Sequence, residues 1–424
     1  MTWLGPIPHL AFKSLLNRRL TAALTVLAVA LSVTLFLGVE KIRLGARSSF
    51  DNTISSTDLI VGARSGSINL LLYSVFRVGD ATNNISWRSV QEIQQHPDIA
   101  WTIPLSLGDS MRGFRVLGTN NSYFEHYKYG RKQALTFSNG TEFGDLFDAV
   151  LGAEVAASLS LRVGDPLVVA HGLGSTSFAQ HDNLPFKVSG ILESTGTPLD
   201  RTVHVSLAGL EAVHRGWESG RHKQTGENAD GLRSLEATLE PTSITALLVG
   251  LKSRIATLQL QRQINEYQQE PLLAIIPGVA LSQLWDVVSV ADQALSAIAG
   301  FVIIIGLMVL LTSLFTSLNE RRREMALLRA LGARPWHIGA LLTSEATLLA
   351  GVGSMLGVCL VNSLLYLAAP TIEAHYGVTL SSLAPGVYDV KIVLLVTVAG
   401  FMMGLLPAAL AYRRSLADGL TVRL

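Results

Sequence analysis

Five histidines, His171, His181, His204, His214 and His222, fall in one stretch of the chain together with Asp182. Imidazole and carboxylate are the ordinary ligands of zinc. No two of these histidines stand at a tight spacing such as H-x-x-x-H, so core or solvent-facing histidines account for them and no metal is expected. Gly62-Ala-Arg-Ser-Gly-Ser67 and Gly172-Leu-Gly-Ser-Thr-Ser177 are glycine/serine loops of the kind that could wrap a phosphate. Both lack the lysine such a loop supplies, and no G-x-x-x-x-G-K-S/T occurs in the sequence, so both read as turns. No serine, cysteine or carboxylate pair stands in a catalytic setting. The expectation is a chain with no catalytic residue and no cofactor of its own.

The segment with the most chemistry is Asn319-Glu-Arg-Arg-Arg-Glu-Met-Ala-Leu-Leu-Arg-Ala-Leu-Gly-Ala-Arg-Pro335. Asn319 can cap a helix, and Glu320 and Glu324 suit its positive N-terminal turn. Met325, Leu328 and Leu331 make an apolar stripe, Gly332 supplies a stop, and Pro335 prevents continuation. A short amphipathic helix of this kind is either a surface for a protein partner or an anchor on lipid headgroups. Its arginines, Arg321 among them, are expected mainly to set topology, and the apolar stripe to carry any docking.

The elements that position this helix are membrane spans. Of 424 residues, 49% are hydrophobic and only 15% charged, against about 25% charged in soluble domains. The excess sits in four runs, Leu20 to Val39, about Ala294 to Leu318, about 338–368 and about Ile392 to Tyr412. Each is long enough for a hydrocarbon core of about 30 Å. The first is too long for a signal-peptide core and reads as an uncleaved anchor. Lys13, Arg18 and Arg19 precede span one, Arg321, Arg322, Arg323, Arg329 and Arg334 join spans two and three, and Arg413, Arg414 and Arg423 follow span four. This places both termini in the cytoplasm. Lys41, Arg43 and Arg47, just beyond span one, are the one discordant group. A net charge of +1 gives no reason to expect nucleic acid as a partner. The only cysteine, Cys359, lies in an apolar run, so no intrachain disulfide can form.

Residues 44–285 are then an extracytoplasmic domain. Short runs rich in Val, Leu and Ile, including Asp58 to Gly62, Phe114 to Gly118, Pro166 to Ala170, Phe186 to Gly190 and Ala246 to Gly250, read as strands. Ser86 to His96 and Arg254 to Gln268 read as helices, and Val150 to Leu159 as a strand end turning into a short helix. The expected fold is α+β, in two lobes. Leu281, Leu284, Val288, Ala291 and Leu295 form one apolar helical face continuing into span two. With an extension of span one towards Phe50, this predicts a helical stalk. The domains are thus 1–43 with the first span, 44–285 outside, and 286–424 with spans two to four and a cytoplasmic helix at 319–333.

Arg323-Glu-Met-Ala-Leu-Leu-Arg-Ala-Leu-Gly-Ala-Arg-Pro-Trp-His-Ile338, followed by Glu345 and a glycine-rich apolar run, resembles the FtsX-type permease domain of MacB-like and lipoprotein-releasing (LolC/LolE-like) type VII ABC transporters. Gly404-Leu-Leu-Pro-Ala-Ala-Leu-Ala-Tyr-Arg-Arg414 is similar to that domain's last span and basic exit. Val150 to Asp165 resembles a segment of the MacB-like periplasmic domain, and Ala11-Phe-Lys-Ser-Leu-Leu-Asn-Arg-Arg19 the amphipathic helix before span one. Residues 171–235 carry no segment that this resemblance places. The resemblance implies a bacterial inner-membrane permease subunit with four spans and a large α+β periplasmic domain on a stalk. It implies a dimer with a second copy or paralogue, and a separate cytoplasmic ABC ATPase that binds the ATP and Mg. Carried over residue by residue, the ATPase contact falls on Arg323, Glu324, Leu328, Arg329 and Gly332. A periplasmic adaptor or substrate protein and membrane lipids complete the expected partners.

Gly353 with Gly357, and Gly400 with Gly404, are small-xxx-small pairs for close helix packing, either in a dimer core or within the subunit. Ionisable residues inside the spans are almost absent, which argues against a substrate path through the bilayer centre. The expected function is mechanotransmission, in which ATP hydrolysis by the partner reshapes the outer domain to export or extract a lipoprotein, lipid or other amphiphile. The alternative is regulation of a periplasmic cell-wall hydrolase or sensor by the same motion.

Overall fold

The computed structural model describes residues 6–51, 53–171, 184–214, 233, 239–376 and 386–414. The chain divides into two compact units, one holding Ala46–Val288 with Ile372–Thr379 and the other built from Met1–Gly45, Ser289–Thr371 and Leu380–Leu424. Helix α1 is Pro6–Asn17 and α2 is Arg19–Asp51.

The first unit is α+β. An 11-stranded mixed sheet forms among the described residues. Its main strands are β1 (Leu59–Ala63), β2 (Ile99–Met111), β3 (Phe114–Thr119), β4 (Phe137–Gly140), β5 (Asp148–Leu151), β6 (Phe186–Leu192), β7 (Thr202–Ser206), β8 (Ala246–Leu251) and β9 (Leu272–Ile275). Their order is β9-β1-β8-β2-β3-β7-β5-β6-β4. The parallel contacts β7–β3 and β6–β5 interrupt an otherwise antiparallel sheet. All five expected strand runs are extended, with Pro166 to Ala170 split into Pro166–Leu167 and Ala170–His171. The expected strand-to-helix turn is β5 followed by Ala153–Leu159. At the turn, a Cβ on Gly152 would lie 2.2 Å from the Leu199 carbonyl oxygen, so only glycine fits.

Strand β2 joins what the sequence suggested as separate lobes. Its first half pairs with β8, from Ile99↔Leu251 to Leu105↔Ala246, and its second half with β3, from Ser106↔Gly118 to Met111↔Phe114. One sheet therefore carries three apolar clusters, around Ile60, Leu105 and Tyr123, around Val116, Val188 and Val205, and around Leu59, Leu247 and Leu260.

The second unit is helical. Besides α2, its long helices are α3 (Pro277–Glu320), α4 (Pro335–Tyr376) and α5 (Val387–Arg414), with the short helix α6 (Arg322–Ala330) between α3 and α4. Four stretches are long and apolar enough to cross a membrane, Arg19–Ser48, Pro277–Leu318, Pro335–Ile372 and Val387–Leu410. Both α2 and α3 run on unbroken beyond the lengths a bilayer needs, matching the helical extensions predicted for a stalk. Within the first unit these extensions touch. Trp285 Nε1 donates to Asp51 Oδ1 at 2.9 Å, Phe50 packs edge-on to Trp285, and the Arg47 guanidinium sits over the indole.

Helix packing in the second unit follows its glycines. A Cβ on Gly353 would lie 2.8 Å from Val29 Cβ, and one on Gly357 2.7 Å from the Ala30 oxygen, both on α2. On α5, Gly400 and Gly404 bring Ala350 and Ala346 of α4 to hypothetical Cβ distances of 2.3 and 2.8 Å. All four glycines thus serve contacts inside this chain, where small residues let backbones approach. The basic group discordant with the topology rule is paired with acids. Lys41 Nζ donates to Asp389 Oδ2 and Asn362 Oδ1, both at 2.8 Å, and Arg43 bonds Glu40 with Asp292 at 3.8 Å. Arg47 lies 4.0 Å from Asp51.

Candidate coupling site between spans two and three

The apolar run of α3 contains no breaker, and the helix carries through Asn319 to Glu320. Asn319 is therefore inside α3 and not the cap expected for the next helix. The break comes at Arg321, whose φ of −97° and ψ of 13° leave the helical region for one residue. Helix α6 then runs nine residues, shorter than the 319–333 expected. Glu324 in its first turn and Arg329 in its last complement the helix dipole.

The end of α6 is fixed by its sequence. Gly332 adopts a left-handed φ of 92°. The Ala333 N–H donates to the Leu328 carbonyl and the Gly332 N–H to the Arg329 carbonyl, both at 2.9 Å. This is a complete Schellman cap, which requires a residue tolerant of positive φ at that position. No atom lies within 4 Å of where a Gly332 Cβ would stand, so the constraint is conformational. Pro335 opens α4 at the position where a missing N–H costs nothing. His337 Nδ1 accepts from the Arg334 N–H at 3.0 Å, and Trp336 stacks on the His337 ring.

One face of α6 is held and another is open. Met325 packs on Leu318, Ile338 and Leu342. Leu328, expected as the anchor, is half-buried. The open apolar surface is instead Leu327 (65% exposed), Leu331 (83%) and Trp336 (46%). The side chain of Arg323 lies outside the described residues, and Arg329 is half-buried. The stripe Met325, Leu328 and Leu331 contains only one of these open residues, because spacing along the helix does not show that Met325 is the side packed on α4.

Arg321 departs most from expectation. It is 8% exposed, its Nε donates to Glu324 Oε2 at 2.7 Å, and its Nη1 donates to Glu345 Oε1 at 2.8 Å. Burial opposes its charge, but the bonds to Glu324 and Glu345 outweigh it and raise the guanidinium pKa above its ordinary value. An arginine that only set topology would sit in water or among headgroups. The signal was Glu345 itself, 2% exposed: a lone acid at a span end requires a cation, and the arginine triplet is the nearest supply. Nearby, Arg18 pairs with Glu320 at 3.1 Å, and a cavity of about 20 Å³ is lined by Arg18, Thr21, Ser313, Ser317 and Glu345.

Of the other candidate sites, only those among the described residues can be placed. Among the described residues no group of three His, Cys, Asp or Glu could hold a metal. His204 is fully buried on β7 against Tyr123 and Phe124, with Nδ1 3.2 Å from the Val150 oxygen. His214 Nε2 lies 3.0 Å from Asp109 Oδ2. The His171 side chain, His181, His222 and the loop 172–177 lie outside the described residues. Gly62 ends up within β1.

Four long apolar helices, a mixed-sheet unit and a short amphipathic helix exposed between two spans define a multi-pass membrane protein of permease type. The chain belongs to the family of MacB-like, FtsX-type permeases. The model of the MacB-like periplasmic core domain matches residues 22–267, more than half the chain, and that of the FtsX-like permease C-terminal domain matches 296–418. Two relatives are described as macrolide export ATP-binding/permease protein MacB. The one from Nitrobacter winogradskyi is 23% identical over 85% of this chain and 52% of its own length. The one from Azoarcus sp. is 23% identical over 82% of this chain and 50% of its own. The chain thus spans about half the length of the curated relatives it matches. Among solved structures, the periplasmic region of MacB from Actinobacillus actinomycetemcomitans aligns at 10% identity and a TM-score of 0.35, over 55% of this chain and 94% of that one. The extracellular domain of YknZ, a noncanonic ABC-type transporter from Gram-positive bacteria, aligns at 10% and 0.30, over 52% and 99%.

Proposed function

We propose that this chain is the permease subunit of an ABC transporter and that a separate cytoplasmic ATPase docks on α6. The observation that carries the reading is the apolar surface of Leu327, Leu331 and Trp336, held out by a helix whose break, cap and restart are all fixed. Such residues on a short interhelical segment suit a protein pocket, since buried aromatic and aliphatic anchors supply most of an interface's energy. ATP and Mg belong to the partner, and the permease contributes no catalytic group. Movement of α6 passes to spans two and three and on to the outer domain, which acts on a lipoprotein, lipid or other amphiphile, alone or with a periplasmic adaptor. Both termini are cytoplasmic in this reading. The basic residues before span one, between spans two and three and after span four support it, with Lys41, Arg43 and Arg47 the one group against it. A second copy or paralogue completes the assembly. An open groove of about 470 Å³ along α2 and α3, lined by Leu24, Ile305, Met308 and Val309 with the hydroxyls of Thr25 and Thr312, offers a face for it.

The test is capture of the ATPase by the tagged full-length chain from detergent-solubilised membranes. Leu331→Asp and Leu327→Asp should each lower the recovered ATPase at least about tenfold, because losing an interface anchor costs more than about 2 kcal/mol. Leu328→Asp should do less. Undiminished ATPase recovery with Leu327→Asp and Leu331→Asp combined would leave α6 a lipid-facing anchor.

A further inference from the structure

Three helices meet on one guanidinium. Arg321 is the single residue between the end of α3 at Glu320 and the start of α6 at Arg322. Its backbone makes the break, and its side chain bonds Glu324 on α6 and Glu345 on α4. The side chain is 9% exposed and that of Glu345 3%. A buried ion pair is weak evidence for stability, since apolar residues of similar volume often stabilise as well or better. What an arginine adds is direction: its planar fork holds two partners at fixed angles, which a lysine ammonium cannot do. Met325 packs α6 on Ile338 and Leu342 of α4 without fixing a direction, and the arginine adds the directed polar tie between the two helices.

We propose that Arg321 is the positioning residue of the coupling helix. Its guanidinium sets the angle of α6 against spans two and three, and Glu345 is the point at which load on α6 enters span three. The proposal rests on reading α6 as the ATPase dock, but the geometry it claims exists without the ATPase. Glu324, mostly exposed, fixes the near end, and Glu345, buried on α4, fixes the far end. Arg18 and Glu320 close the neighbouring surface with their own ion pair and leave Arg321 its two acids.

The experiment measures the angle directly, in the full-length chain in lipid nanodiscs without any ATPase. In a Cys359→Ser background, spin labels at Leu327→Cys and Val352→Cys, both exposed positions, report the α6-to-α4 distance by pulsed electron resonance. The parent should give one narrow distribution. R321K keeps the charge but loses the fork, and its distribution should broaden roughly twofold. The double variant R321M/E345L replaces the pair by apolar side chains; it should insert and melt close to the parent, yet show the same broadening. A narrow, unshifted distribution in R321M/E345L or in R321K overturns the proposal, whatever α6 binds. Docking is judged separately by the ATPase capture described above, so the two readings fail independently.

Discussion

His204 shows how burial dominates the behaviour of a side chain. Burial among Tyr123, Phe124 and the sheet disfavours the imidazolium, and the nearby Arg77 charge adds to this, so its pKa is pushed down to about 3. The unfolded chain takes up this proton near the ordinary value of about 6.5, whereas the folded chain refuses it. Stability from this site is therefore fully present above pH 6.5 and is lost as pH falls towards 3, at about 1.4 kcal/mol per pH unit. Melting of the purified chain between pH 7.5 and 5 should show this loss, and His204→Asn should remove its slope in that range. An unchanged slope in the variant would place the proton elsewhere. The same residue-level reasoning separates Leu327 and Leu331, whose side chains stand in the open, from Leu328.

At the scale of elements, the spans are held by close contact at glycines and by a few polar ties. Thr34 Oγ1 donates to the Gly357 carbonyl at 3.1 Å, and Thr25 Oγ1 to Ser313 Oγ at 2.9 Å. Where a glycine meets a backbone or a small side chain, any Cβ forces the helices apart. Gly400→Val should therefore destabilise the helical unit by about 1–3 kcal/mol, the usual cost of overpacking. Denaturation by SDS in mixed micelles would register this as a lower midpoint. Gly300, with nothing within 4 Å of its Cβ position, supplies the control: Gly300→Ala should be neutral or stabilising by up to about 1 kcal/mol. Equal losses at both positions would mean that helix propensity and not packing governs these sites.

For the molecule as a whole the decisive quantity is orientation. If the sheet-bearing unit is extracytoplasmic, Asn83→Cys, on an exposed turn, should react with a membrane-impermeant thiol reagent in intact spheroplasts of a Cys359→Ser strain. Leu331→Cys should react only after permeabilisation. The opposite pattern would invert the topology and remove α6 from reach of any cytoplasmic ATPase. A mechanical role depends on this arrangement, with the dock and the outer unit on opposite sides of the bilayer.

The four spans, the five strand runs and the cap at Gly332 were all readable in the sequence, because each depends on local properties: apolar length, β-branched runs between turn residues, and a backbone angle only glycine adopts readily. Strand β2 was not read, since Pro104 and Gly108 look like interruptions. The sheet tolerates both, pairing Pro104 with Leu247 and placing Gly108 at an irregularity between Leu107 and Ser110. The charged ties were equally hidden. Lys41 finds Asp389 at the far end of the chain, and Arg321 finds Glu345 on the next span, so two apparent topology signals became ion pairs. Which leucines of α6 face outward was likewise settled by where Met325 and Ile338 had already packed. Pairing across the fold depends on which surfaces meet once the helices are bundled, and periodicity along one helix carries no record of its neighbours.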